Sequence, residues 1–156
     1  LFDIVSHLLY NIYTMKEGNV SMIWYYNNQK AAQLSELIGK TLVSVTNLED
    51  DEIHFVTQDG DKFIMKHFQD CCESVCVDDV CGDLEDLVGS PIIQAEDVSN
   101  ETEDPPSKYT GDWGESETWT FYKLATNKGS VTIRWYGTSN GYYSERVDFV
   151  KEKRDA

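Results

Sequence analysis

The sequence predicts an α+β fold: a predominantly antiparallel β-sheet of six to eight strands with one or two short helices. Three observations predict it. Alternating residues over 118–125 and 130–136 flank a polar turn and predict a hairpin. The pair Asp59-Gly60 supplies the positive backbone angles of a second tight turn. Apolar residues at helical spacing predict a helix over 29–38.

We expect the chain to divide into three parts. Residues 39–150 form a single β-rich domain, residues 1–38 a partly helical N-terminal appendage, and residues 151–156 a charged tail. Within the domain, the local patterns predict the following elements: strands over Thr41–Val45, Ile53–Val56, Phe63–His67, Ser74–Val77, Pro91–Ala95 and Tyr142–Val150, a helical turn carrying Leu84, Leu87 and Val88, and a loop over Asp97–Gly114.

Two interpretations of the first 21 residues remain open. Apolar residues recur at helical spacing over Leu1–Tyr13, as in a short amphipathic helix. Alternatively, Lys16-Glu17-Gly18 can be encoded by a purine-rich tract that resembles a bacterial ribosome-binding site, which would make Met22 the native start.

The negative charge is concentrated in the middle of the chain. Residues 47–104 carry 18 acidic side chains and two lysines, a local charge of −16, whereas residues 107–156 carry seven acids and eight bases. This balance argues against direct nucleic-acid binding and against an anionic membrane surface, because both need clustered cations. It permits binding to a basic protein surface or mimicry of a polyanion.

All four cysteines lie in one short stretch beside a histidine. We expect reduced thiols in a cytoplasm, because the cysteine density is too low for a disulfide scaffold. A zinc site could use His67, Cys72, Cys76 and Cys81, although paired C-x2-C spacing is absent. A nucleophilic pair could use His67 with Cys71 or Cys72. The competing interpretation is that the cysteines are small buried apolar residues.

Carboxylates and aromatic residues supply two further candidate surfaces. Projected as one face, the acidic residues could imitate DNA phosphates, or they could be a solvated surface with charges at a helix N-terminus. Aromatic residues in the C-terminal hairpins could contact a partner, or they could pack across strands. The predicted binding residues are Asp78, Asp79, Asp83, Asp86, Arg134, Tyr136, Asn140, Tyr142 and Tyr143.

Three segments carry a resemblance to a known family. They are residues 67–75 (His-Phe-Gln-Asp-Cys-Cys-Glu-Ser-Val), residues 82–91, and the pair Trp119–Tyr122 and Arg134–Ser144. Together they resemble a domain-of-unknown-function family of small proteins encoded by bacteriophages and bacteria, over about residues 39–149. The resemblance implies a phage or prophage context in a host cytoplasm, and it brings no activity.

The function we expect is therefore that of a phage accessory protein, a non-enzymatic acidic module that binds a host protein without a cofactor. The alternative is a small metal- or thiol-dependent enzyme, with zinc the candidate metal, centred on His67 and the cysteines. The sequence contains no phosphate loop, dinucleotide fingerprint or nucleophile elbow.

Overall fold

The computed structural model describes residues 29–100 and 116–154. In these ranges the chain forms nine strands and two short 3-10 helices, η1 and η2. In chain order the elements are β1 (Gln29–Ala31), η1 (Leu34–Leu37), β2 (Leu42–Leu48), β3 (Glu52–Thr57), β4 (Lys62–Lys66), β5 (Ser74–Cys81), η2 (Leu84–Leu87), β6 (Gln94–Asn100), β7 (Ser116–Thr126), β8 (Gly129–Ser139) and β9 (Asp148–Glu152).

The strands form two antiparallel sheets. The five-stranded sheet has the order β1-β9-β4-β3-β2, and the four-stranded sheet has the order β5-β8-β7-β6. β9 therefore lies between β1 and β4, although it is the last strand within the described residues. The predicted α+β class is wrong, because the regular secondary structure of the described residues is nearly all β-strand and neither helix exceeds four residues.

One apolar core joins the two sheets. Phe55 and Phe63 come from the five-stranded sheet, and Leu124 and Ile133 from the four-stranded sheet. The indole Nε1–H of Trp135 donates to the sulfur of Met65 across the interface at 3.1 Å. The molecule is thus a β-sandwich whose inner faces share a core, as expected for alternating strands.

The predicted helix over 29–38 is replaced by a strand and a single 3-10 turn. Gln29–Ala31 pairs with β9, and the turn buries Leu34 and Leu37. Those two residues are three apart, so one 3-10 turn places both on the core side without a longer helix. Apolar residues do recur at helical spacing over 29–38. Residues 29–31 are nevertheless extended, because they pair with β9, which is distant in the sequence.

Several other boundaries also differ from the prediction. The segment predicted as a strand over 142–150 is a strand only from Asp148, and this strand joins the other sheet. β6 begins at Gln94 and takes in residues 97–100 of the predicted loop. β9 continues through Lys151 and Glu152, the first two residues of the predicted tail.

The predictions for residues 1–28, and for the remainder of the loop up to Gly114, fall outside the described residues. Across the two described ranges, no helix has the length and apolar character needed to cross a membrane.

Candidate functional site

The segment between β4 and β5 is organised around the buried carboxylate of Glu73. His67 Nε2 lies 3.0 Å from Glu73 Oε1, and the amides of Asp70 and Cys71 donate to the two carboxylate oxygens. The side chain of Gln69 donates to the Glu73 carbonyl at 2.7 Å. Glu73 therefore supplies the acceptors that hold the turn through 69–72 in place.

The hydrogen bonds also explain the charge state of this carboxyl group. Burial raises the pKa of Glu73, but the donors from Asp70, His67 and Cys71 outweigh it and lower the pKa to about 2. His67 also makes a second bond, from Nδ1 to the carbonyl of Arg146 at 2.7 Å. Both ring nitrogens of His67 thus lie at hydrogen-bonding distance from an oxygen of the protein.

The cysteines do not gather around His67. Cys71 and Cys72 are exposed and form a disulfide with each other, whereas Cys76 and Cys81 are free. The structure therefore pairs two of the four thiols that the sequence predicts to be reduced. In the ranges 29–100 and 116–154, no three histidine, cysteine, aspartate or glutamate side chains are grouped to hold a metal ion.

The predicted acidic residues have different environments. Asp78 lies at a β-bulge of β5 and is buried, with the Arg134 Nε donating to its carboxylate at 2.7 Å. Asp79 and Asp83 are exposed, and Asp83 caps η2 by accepting from the Glu85 amide. Asp86 is half-buried. Asp78 and Arg134 thus form an internal ion pair, which removes both charges from the predicted binding surface.

The predicted aromatic residues also separate. Tyr136 is buried on the outer side of the four-stranded sheet, with its ring 5.1 Å from that of Trp119. Burial, together with a hydrogen bond to Glu117, raises the pKa of Tyr136 to about 12. Tyr142 is 84% exposed and packs edge-on against Tyr143.

Asn140 builds the turn that carries these two tyrosines, because its side-chain oxygen accepts from the Tyr142 amide. The Tyr142–Tyr143 turn follows the end of β8, whereas Asp79 lies beside the middle of that strand. Asp79 pairs with Arg134, which is six residues before Asn140 on β8, a distance of about 20 Å at the rise of a strand. The structure does not unite the predicted acidic and aromatic residues into one surface.

Two of the three segments that carry the sequence resemblance meet at the end of the sheet that carries the Tyr142–Tyr143 turn. Ser74 pairs with Thr138, so the loop containing Glu73 lies beside the turn that follows β8. A model of the domain of unknown function DUF7448 matches residues 35–149. The chain belongs to this family. No curated protein and no solved structure matches it.

In this DUF7448 domain, a polar cleft also opens at the turn end of the sandwich. It has a volume of about 500 Å³ and lies between the inner side of β6 and β7 and the segment 143–147. Its described lining residues are Asp97, Ser99, Ser116, Thr118, Thr120, Tyr122, Tyr143, Ser144, Glu145, Arg146 and Val147.

Hydrogen bonds fix the wall of the cleft that residues 143–147 form. Glu145 is buried and accepts from Thr118 Oγ1 at 2.6 Å and from Ser139 Oγ at 2.7 Å. Gly137 allows this approach, because an added Cβ there would lie 2.7 Å from the Cβ of Glu145. His67 binds the carbonyl of Arg146 from behind, so the Glu73 loop supports the cleft wall.

Charge and burial shape the inner part of this region. Arg146 makes an ion pair with Asp148 at 2.8 Å, and burial nevertheless raises the pKa of Asp148 above its usual value. Burial, together with the carboxylates of Asp97 and Asp148, raises the pKa of Tyr122 well above its normal range. The Tyr122 phenol therefore stays neutral and is available as a hydrogen-bonding group.

Of the binding residues predicted from the sequence, only Tyr143 lines this cleft. A signal was present in β7, where Trp119 and Phe121 alternate with Thr118, Thr120 and Tyr122. Thr120 and Tyr122 lie on the inner side of β7, since they pair with the core residues Trp135 and Ile133. Hydroxyl groups therefore occupy the inner face at this end.

Proposed function

We propose that this DUF7448 protein is a non-enzymatic binding module that contacts a partner protein through the turn carrying Tyr142 and Tyr143. The observation that carries the proposal is the exposure of Tyr142, a residue that is 84% accessible and whose ring packs edge-on against Tyr143. An exposed, preorganised tyrosine is a common anchor of protein interfaces, since it buries a large area at low entropic cost.

The chemistry of the partner follows from charge. The chain carries a formal charge of −15, and Asp70 and Glu117 are exposed at the turn end of the sandwich. A basic protein surface would be attracted to this region, and the attraction would weaken with salt. The resemblance to phage proteins favours a host protein as the partner and the host cytoplasm as the location.

Polyanion mimicry is a second form of the same proposal. It is supported by the exposed carboxylates of Asp79, Asp83 and Glu85, which lie away from the Tyr142–Tyr143 turn. Asp78 contributes little to it, because Arg134 neutralises that carboxylate. Mimicry would place the contact about 20 Å from Tyr142, so the two forms predict different sensitive residues.

Capture from host lysate tests both forms. We expect the native protein to retain a basic host protein at low salt, Tyr142→Ala to lose it, and Ile93→Ala to retain it. Ile93 is a matched control because it is 64% exposed and lies just before β6 at the opposite end of the sheet. If the double variant Asp79→Asn/Asp83→Asn loses the protein instead, mimicry is the operating form. Equal capture by all variants, or no capture by native protein, contradicts the proposal.

The alternative hypothesis, a small metal- or thiol-dependent enzyme, requires His67 to act together with a thiol or a metal ion. His67 is held by two acceptors, and two of the thiols form a disulfide. Elemental analysis of purified protein tests this alternative. Stoichiometric zinc, lost on Cys76→Ser, would favour it over the binding module.

A further inference from the structure

The inner face of the four-stranded sheet changes character along its length. On β7 the core side passes from Leu124 to Tyr122, Thr120, Thr118 and Ser116 as the chain is followed backward. An inner sheet face normally carries apolar residues, because its neighbour is the opposite sheet. Here it faces the polar segment 143–147 and encloses the cleft of about 500 Å³.

Because hydroxyl side chains replace apolar ones on this part of the inner face, we infer that the cleft binds a neutral, polyhydroxylated ligand, a saccharide of one or two residues. The cavity volume lies within the range typical of small-molecule sites. Polar side chains at positions where a sheet normally carries apolar ones often mark functional sites. This inference goes beyond the protein-binding role, which uses the exposed side chain of Tyr142, and the two roles share only the turn that carries Tyr143.

The lining is suited to such a ligand because it both donates and accepts. Seven of its side chains carry hydroxyl groups suitable for pairing with sugar hydroxyls: Ser99, Ser116, Thr118, Thr120, Tyr122, Tyr143 and Ser144. The carboxylate of Asp97 accepts, and the guanidinium of Arg146 donates. The lining holds both acidic and basic side chains, so it has no predominant charge that would favour a cationic or an anionic ligand.

The cleft also has a fixed shape and an apolar edge. Glu145 is tied to Thr118 and Ser139, so the wall is preorganised before a ligand arrives. The half-buried ring of Tyr143 lines the same cavity and offers a flat surface for the C–H face of a sugar ring. Thr120 Oγ1 and Ser99 Oγ lie 3.4 Å apart across β7 and β6, a weak bond that a ligand hydroxyl could replace.

Calorimetric titration with defined sugars tests the inference. The probes are glucose, galactose, mannose, N-acetylglucosamine, N-acetylgalactosamine, maltose, lactose and cellobiose, each added to the full chain. We expect saturable binding of at least one probe. Thr120→Val, which removes one lining hydroxyl at constant shape, should weaken it about fivefold to tenfold.

Two further variants make the outcome decisive. Asp97→Asn alters an exposed residue, so the chain should fold normally and bind the probe more weakly. Thr46→Val makes the same substitution as Thr120→Val at an exposed position on β2 and should leave binding unchanged. The inference is overturned if no probe saturates, or if both cleft variants bind a probe as tightly as the native chain.

Discussion

His67 and Glu73 form a hydrogen-bonded pair whose side chains are 7% and 0% exposed, with Nε2 and Oε1 3.0 Å apart. The pair closes the loop that follows β4 and positions the cleft wall through the Arg146 carbonyl. A buried pair of this kind affects the stability of the fold in a pH-dependent way, so its role can be measured without knowing a ligand.

Glu73→Gln should destabilise the protein at neutral pH. The pKa of Glu73 falls from its ordinary 4.5 to about 2 in the folded chain, so ionised Glu73 contributes about 3 kcal/mol at pH 7. Because the folded-state pKa is lowered, this contribution is complete above pH 4.5 and disappears as the pH falls toward 2. Urea unfolding at pH 7, 4 and 3 should show the native and variant curves converging.

The matched control for this series is Glu96→Gln, which alters an exposed carboxylate on β6. Its effect on the free energy of unfolding should stay within about 0.5 kcal/mol at every pH. A stability difference between native and Glu73→Gln protein that is the same at pH 7 and pH 3 would contradict the assigned role.

Arg134→Met should be strongly destabilising, because it leaves the fully buried carboxylate of Asp78 without its guanidinium. Removing one member of a buried ion pair typically costs about 3–5 kcal/mol. Adding Asp78→Asn should recover part of the loss. Lys62→Met, which breaks the more exposed pair with Glu152, should cost less than about 1 kcal/mol in the same denaturation experiment.

Gly137→Ala should lower stability by about 1–3 kcal/mol, because the new methyl group would meet the Cβ and carbonyl oxygen of Glu145. Gly129→Ala is the comparison, since its methyl group meets the movable carboxylate of Asp86 instead. Thermal unfolding should rank the two variants in that order. An equal loss for both would show that the Glu145 wall can shift.

Thiol counting tests the state of the four cysteines. The structure contains one disulfide, Cys71–Cys72, and free Cys76 and Cys81. Denatured, unreduced protein should therefore react with two equivalents of a thiol reagent, and prereduced protein with four. Four equivalents without reduction would restore the prediction of reduced thiols.

Local turn chemistry made parts of this fold predictable. The hairpin around 126–129 forms as predicted, with Thr126 paired to Gly129 at the end of β7 and β8. The Asp59-Gly60 turn also forms between β3 and β4, with Gly60 at a φ of +88°. In both cases the information lies within a few residues, which is the range over which sequence patterns determine backbone conformation.

The fold class and the cleft depended on contacts that no local pattern contains. Pairing with Val150 determines the conformation of Ala31, so helical spacing there was misleading. In β7, Thr118 and Thr120 face inward, and Trp119 and Phe121 occupy the outer side. Alternation alone identifies the two faces of a strand but does not say which one meets the other sheet.

The position of β9 has a consequence for how the domain folds. β1 pairs only with β9 in the described sheet, and β9 is also the neighbour of β4. During synthesis, β1 through β4 emerge early but must wait for the last strand before the sheet is complete. Such long-range closure slows folding, since loop entropy is lost before the contacts form. A ribosome-bound chain stalled before Asp148 should therefore leave β1 unpaired and accessible to chaperones, while the β7–β8 hairpin is already able to form.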